Sequence, residues 1–202
     1  MYGLAIASGQ WWRLFTAGFI HLSLVHILFN MWSLWVLGRL LEEMLGRVRF
    51  IALYAISLFG ASTASYLFAS ALGPAAGASG AIFGLAGGLL VVGKRMNWRT
   101  QWLVGVIGLN LLLPFFQHNI DWHAHVGGLI TGMVTTAAFV YAPKRWRVVA
   151  AYAVVALVAL VAVVCVGLVA ERGASIRQDP RYASLFSLGG GVSDDTAYNP
   201  FP

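Results

Sequence analysis

The sequence has few charged residues and almost no cysteine. Charged residues make up 10% of the 202-residue chain and hydrophobic residues make up 59%, whereas a soluble domain averages about 25% charged residues. This composition excludes an ordinary soluble protein and indicates a membrane protein. The single cysteine, Cys165, lies inside an apolar run, which excludes a disulfide framework and a thiolate metal site.

Six apolar runs are long enough to be considered as membrane spans. They occupy residues 22–38, 50–72, 77–93, 102–117, 122–142 and 148–170. The sequence therefore predicts an all-α membrane protein, a polytopic bundle of six spanning helices. Another apolar stretch, at residues 14–20, is too short to cross a bilayer.

Basic residues are absent from alternate loops between these runs. The loops at 73–77 and 118–121 contain no Lys or Arg, and the other three loops hold nine of the thirteen basic residues: Arg39, Arg47, Arg49, Lys94, Arg95, Arg99, Lys144, Arg145 and Arg147. Loops rich in Lys and Arg stay in the cytoplasm. The net charge of +6 is thus explained by membrane orientation and not by a nucleic-acid partner.

Polar side chains inside the apolar runs are candidates for function, because placing them in a bilayer is costly. With this orientation, His26 and Asn30 lie in the outer half of the first run. Ser79 lies at the outer start of the third run and His125 about one turn into the fifth. Four polar residues from three helices are therefore expected to meet near one leaflet, which scattered packing residues would not do.

Two roles are open for Ser79, one in helix packing and one in catalysis. It lies between glycines at the predicted start of a helix, where it could be a small spacer or a nucleophile presented by a tight turn. A helix from Ser79 to the residue before Lys94 is about 22 Å long, whereas the hydrocarbon core is about 30 Å thick. Ser79 is thus expected several ångströms below the outer surface, at the bottom of a water-filled hollow.

The residue types around Ser79 favour acyl-transfer chemistry. A serine hydroxyl needs an adjacent base, which His125 can supply, and free N–H groups at a helix start suit an oxyanion. His26 and Asn30 are four residues apart and project from one helix face, so both could donate to that oxyanion. Glycines on the helices of Ser79 and His125 favour their close approach: Gly80, Gly84, Gly87 and Gly88 on one, Gly128 and Gly132 on the other.

These stretches resemble the motifs of the rhomboid family of intramembrane serine proteases. WWRLFTAGFIHLSLVHILFNMW is similar to the family's Trp-Arg loop and His-x-x-x-Asn motif. LLEEMLGRVRF is similar to its Leu-Glu and Gly-Arg features, with Glu42 at the glutamate position. GASGAIFG, which begins at Gly77, resembles the Gly-x-Ser-Gly nucleophile motif, and AHVGGLITG resembles the Ala-His-x-x-Gly-x-x-x-Gly of the base helix. The resemblance runs from about residue 9 to residue 142, in the family's order.

The resemblance implies a rhomboid-like fold and a serine protease with a Ser–His dyad. Ser79 would be the nucleophile and His125 the general base and then general acid. His26, Asn30 and the Ser79 backbone N–H would hold the oxyanion. It implies cleavage of single-span membrane proteins near their outer ends within the lipid bilayer, without metal or other cofactor. Phe83 stands where the family commonly has a tyrosine that stacks on the base, and we expect at most a modest effect.

The resemblance also divides the chain. We expect an external loop with the Trp-Arg motif at residues 1–20, a catalytic core at 21–142, an additional transmembrane helix at 143–171 and a flexible polar tail at 172–202. The family's first span, upstream of the Trp-Arg loop, is not in this sequence, so we expect the natural protein to start further upstream. Ala- and Val-rich spans suit a bacterial plasma membrane, with the active site opening to the external side.

One alternative function keeps the same fold. The chain could be a rhomboid-like protein that binds membrane helices but is catalytically inactive because of its truncated N-terminus. Inactive relatives are expected to lack the serine or the histidine, whereas this chain has both Ser79 and His125. That difference favours the protease.

Two further polar residues lie close to His125 in the sequence. His123 and His125 look like part of a metal site, but no carboxylate or third ligand is expected at their depth, which argues against a metal. His123 is interpreted as facing solvent or lipid headgroups. Asp121 is interpreted as the solvated start of the helix that carries His125.

Overall fold

The computed structural model describes residues 3–69, 76–116, 120–142 and 167–181, together with residues 156, 160 and 164. Over these residues the fold is helical and contains no β-strand, as predicted. The α-helices are α1 (Gly3–Ala7), α2 (Arg13–Thr16), α3 (Leu24–Leu45), α4 (Arg47–Phe68), α5 (Ser79–Arg95), α6 (Gln101–Leu112) and α7 (Trp122–Tyr141). Short 3-10 turns follow α2 at Ala17–Phe19 and α6 at Leu113–Phe115.

Three of the described helices are long and apolar enough to cross a membrane, namely α3, α4 and α7. The apolar helical stretch Gln101–Phe115 is shorter, and α5 has 17 residues. The predicted sixth run, residues 148–170, lies almost wholly outside the described residues. Of the six predicted spans, three therefore correspond to described helices that are long enough to cross a membrane.

The first two long helices extend beyond the apolar runs that predicted them. Arg39 and Glu43 pair at 3.1 Å within the last turns of α3, and Glu42 pairs with Arg47 at 3.2 Å across the turn into α4. Gly46 makes this turn with a φ of +83°, a conformation that glycine adopts without strain. Charged residues therefore continue the helices at this end of the bundle because they pair with one another.

The core of the bundle is built around α5. Its apolar side chains pack with residues of α3, α4 and α6 in one cluster, which includes Leu37, Leu41, Leu53, Ile82, Leu85, Leu103 and Ile107. Buried positions occur all around α5, as expected of a helix with neighbours on every side. This central position fixes both ends of α5, including Ser79.

The contact between α5 and α7 depends on glycine. A methyl group added at Gly128 would overlap the backbone carbonyl of Gly80, and one added at Gly132 would overlap the carbonyl of Gly84. A methyl group at Gly84 of α5 would overlap Ser57 of α4 and would also approach the carbonyl of Gly128. Small residues thus bring the three backbones close together, as is common between membrane helices.

Basic and aromatic side chains meet at the end of the bundle opposite Ser79. The guanidinium of Arg49, near the start of α4, lies 6.0 Å from the ring centroid of Phe139. That of Arg95, at the end of α5, lies 5.7 Å from the ring centroid of Tyr141. Both distances suit cation–π contacts, so the start of α4 and the ends of α5 and α7 share one end.

A C-terminal helical segment, residues 167–178, packs on the N-terminal part of the chain. The Tyr66 hydroxyl donates to the Val169 carbonyl at 3.2 Å, and the Arg177 guanidinium donates to the Ala7 carbonyl. Around these bonds lies a second apolar cluster formed by Ile6, Ala7, Leu14, Tyr66, Val169 and Ile176. Residues 172–178, expected to belong to a flexible tail, are therefore helical and packed, and the tail from 182 onward lies outside the described residues.

Gly128→Ala should lower the thermal stability of the protein in detergent. Its methyl group meets a backbone carbonyl, which can move only if α5 moves, and overpacking of this kind typically costs about 1–3 kcal/mol. Gly105→Ala in α6 is the matched control, because a methyl group there meets nothing within 4 Å. Equal unfolding temperatures for the two variants would contradict the glycine contact between α5 and α7.

Candidate active site

The turn that leads into Ser79 is tied to the N-terminal part of the chain. Gly77 has a φ of +112°, which favours glycine. Its backbone N–H donates to the carbonyl of Ala17 at 3.0 Å. The chain then enters α5, whose first residue is Ser79, so the hydroxyl stands at a helix start held by a second segment.

Ser79 and His125 are brought together. The Oγ atom of Ser79 lies 3.1 Å from Nε2 of His125, within hydrogen-bond distance. His125 is in the first turns of α7, and its side chain is only 7% exposed. The two residues are adjacent because the glycine contact between α5 and α7 begins beside them, at Gly80, the next residue of α5, and at Gly128, three residues after His125.

The ring of His125 is held from one side by Phe83. The two rings stack with centroids 4.2 Å apart and planes 10° apart. Phe83 is one turn after Ser79 on α5, so the same helix supplies both the hydroxyl and the surface that supports the imidazole. Phe83 therefore packs against His125 without a tyrosine hydroxyl.

His26 and Asn30 lie beside the turn before Ser79. A methyl group at Gly77 would be 2.7 Å from Cε1 and Nε2 of His26 and 3.4 Å from Nδ2 of Asn30. Asn30 is 6% exposed, and its Nδ2 has no hydrogen-bond partner among the described residues. Buried donors are usually paired, so this amide is available to a bound oxygen atom. All four polar residues singled out in the sequence are thus near one another.

The imidazole of His21 packs against that of His26. The two rings meet edge to face with centroids 5.1 Å apart. Sequence reasoning did not assign His21 to the site, because it lies just before α3 and outside the spacing of four residues that links His26 to Asn30. The edge-to-face contact limits the positions that the His26 ring can take.

Asp121 and His123 are less exposed than the sequence predicted. Asp121 does start α7, but its side chain is only 17% exposed and that of His123 only 23%. The His123 ring stacks on Trp122 with centroids 4.0 Å apart and lies 6.5 Å from the ring of Phe68 on α4. Both side chains are therefore partly covered, and the ring of His123 faces the end of α4.

Metal ligands are not grouped in the part of the chain that the structure describes. No three or more His, Cys, Asp or Glu side chains are placed there to hold a metal ion. The described arrangement is instead a hydroxyl bonded to a supported imidazole, beside an unpaired buried amide. These are the groups needed for attack on a carbonyl and for stabilisation of the resulting oxyanion.

Comparison with known proteins identifies the family. A profile for the Rhomboid domain matches residues 8–142, about two thirds of the chain. The chain therefore belongs to the rhomboid family, as the motifs predicted. Together with its apolar helices, this membership makes it an integral membrane protein.

Similar proteins occur in bacteria and plants. Rhomboid protease GluP of Bacillus subtilis (strain 168) is 41% identical over 138 residues, which cover 66% of this chain and 27% of GluP. YdcA of the same organism is 33% identical over 149 residues, which cover 71% of this chain and 75% of YdcA. RHOMBOID-like protein 1 of Arabidopsis thaliana is 38% identical over 149 residues, 70% of this chain and 38% of that protein. The chain thus spans only part of the length of GluP and of the plant protein.

Proposed function

We propose that the protein is an intramembrane serine endopeptidase that hydrolyses peptide bonds of membrane-spanning substrates. The observation that carries this proposal is the 3.1 Å contact between Ser79 Oγ and His125 Nε2 inside a helical bundle of the rhomboid family. The similarity to GluP, which is named a rhomboid protease, supports proteolysis as the reaction. Ser79 is the nucleophile of this reaction, and His125 is its general base and then its general acid.

The reaction proceeds through an acyl-enzyme. Ser79 Oγ attacks the carbonyl carbon of the scissile bond while His125 Nε2 takes the hydroxyl proton. The imidazolium then gives this proton to the departing amine, which leaves an ester on Ser79. A water molecule attacks the ester and loses a proton to His125, which then gives this proton to Ser79 Oγ as the C–O bond breaks and the carboxylic acid product is released.

The oxyanion formed in each addition step is stabilised by His26, Asn30 and the backbone N–H of Ser79. The position of both side chains beside Gly77, two residues before Ser79, supports this role. The buried Asn30 amide has no competing partner among the described side chains and backbone groups. Fixed donors are effective here because they need no reorganisation as charge develops.

The active site opens to the outer face of the membrane in this proposal, and the substrates are single-span proteins cut near their outer ends. Arg49 and Arg95 lie at the end of the bundle opposite Ser79, and basic ends face the cytoplasm. The 17 residues of α5 span about 25 Å, less than the hydrocarbon core of about 30 Å. Ser79 therefore lies below the outer surface, where a substrate helix must unwind to reach it.

Ser79→Ala and His125→Ala should each abolish cleavage of a model single-span substrate by the full chain in vesicles. Both should also abolish labelling by a fluorophosphonate probe. The double variant should be no worse than either single one, because the pair acts as a unit. Ser65→Ala, at another buried serine, is the control and should cleave normally. Cleavage that persists in either single variant would contradict the dyad, whereas absence of cleavage by the wild-type chain would favour a protein that only binds membrane helices.

His26→Ala and Asn30→Ala should lower kcat while the probe still reaches Ser79. Loss of one oxyanion donor typically costs about 10²–10³ in kcat. Asn110→Ala is the matched control, since the Asn110 amide donates to the Val106 carbonyl of its own helix at 2.8 Å. Unchanged turnover in both site variants would show that His26 and Asn30 serve packing alone.

Cysteine labelling tests the orientation in a Cys165→Ser background. Ser8 and Met96 are both exposed, at the two opposite ends of the bundle in this proposal. Ser8→Cys should react with an impermeant maleimide on intact cells, and Met96→Cys should react only after permeabilisation. The reverse pattern would place the active site at the cytoplasmic face and contradict the proposed topology.

A further inference from the structure

Asp121 holds the turn of α7 that carries His125. Its Oδ1 accepts hydrogen bonds from the backbone N–H groups of His123 at 3.1 Å and Ala124 at 3.2 Å. Its backbone carbonyl accepts from the N–H of His125 at 3.4 Å. One residue therefore fixes the start of the helix through both its side chain and its backbone.

The carboxylate is itself held in place. Oδ1 lies 3.4 Å from Nδ1 of His123, and the His123 ring is stacked on Trp122 and faces Phe68 of α4. Because Trp122 and Phe68 limit the movement of the His123 ring, the carboxylate next to that ring keeps a defined position at the start of α7.

Two buried polar atoms of this turn lack a hydrogen-bond partner among the described residues. They are Oδ2 of Asp121 and Nδ1 of His125. When His125 Nε2 accepts the proton of Ser79, the other ring hydrogen is on Nδ1, and the ring becomes positively charged. The two groups are not hydrogen-bonded to each other, but Asp121 is four residues before His125 at the start of α7, so a negative charge is available about one helical turn from the ring that gains a positive one.

We propose that Asp121 is a positioning residue of the active site. Its hydrogen bonds fix the turn that carries His125, and its negative charge stabilises the imidazolium that forms when Ser79 loses its proton. Asp121 acts through His125 and does not contact substrate. His26 of α3 is a second titratable group on the same side of the bundle, and a positive charge on it would disfavour the imidazolium. This role rests on the proposed function, since it requires that His125 be the base.

Asparagine separates the charge of Asp121 from its capping role. Asn caps a helix as well as Asp does, but it carries no charge. Asp121→Asn in the full chain should keep the unfolding temperature of the wild type and lower kcat about 10- to 100-fold, the size expected for loss of one contact to an ionised group. KM for a model single-span substrate should stay unchanged. Asp121→Ala should lower the unfolding temperature as well as kcat.

The outcomes distinguish the proposed role of Asp121 from the role of the Ser79–His125 dyad. If Ser79→Ala is inactive and Asp121→Asn has wild-type kcat, the positioning role is overturned and the dyad stands. If Ser79→Ala still cleaves, the dyad and the positioning role fall together. Asp121→Ser, which also caps without charge, serves as a second variant. If neither Asn nor Ser gives a folded protein, the carboxylate is structural and the proposal is overturned.

Discussion

The close contact between α5 and α7 is the constraint on which the site depends. Two glycines of α7 lie against two carbonyl groups of α5, where a single methyl group would not fit. This contact sets the distance between the backbones, and the distance in turn lets a short side chain such as Ser79 reach the ring of His125. A serine side chain is too short to compensate for a shift of the helices. The glycines are therefore needed for the chemistry as well as for the fold.

A second constraint acts on the turn before Ser79. The bond from the Gly77 N–H to the Ala17 carbonyl joins this turn to the N-terminal segment, and the His26 ring and the Asn30 amide of α3 lie against it. Only glycine fits at position 77, both for its φ and for the space that His26 leaves. The site is therefore assembled from four segments that are distant in sequence, and no one of them could form it alone.

Much of the site could be predicted because its signals are local. The spacing of His26 and Asn30, the glycines around Ser79 and those after His125 each follow from the geometry of one helix. The partial burial of Asp121 and His123 could not be predicted in this way, since it depends on packing between helices, such as that of His123 near Phe68, more than fifty residues earlier. The packing of residues 172–178 could not be predicted for the same reason. Their polar composition resembles that of a flexible tail, and their packing depends on contacts with Tyr66 and with residues of α1.

The bond between Arg177 and the Ala7 carbonyl joins two flanks of the chain that lie outside the segment shared with the family. Tyr66, within that segment, contacts Val169 of the second flank. The two flanks therefore pack against each other, and a substitution in either flank changes the contacts of the other. In a chimera with a relative that shares only residues 8–142, replacing one flank alone would remove its contacts with the other flank. The two flanks therefore have to be exchanged together.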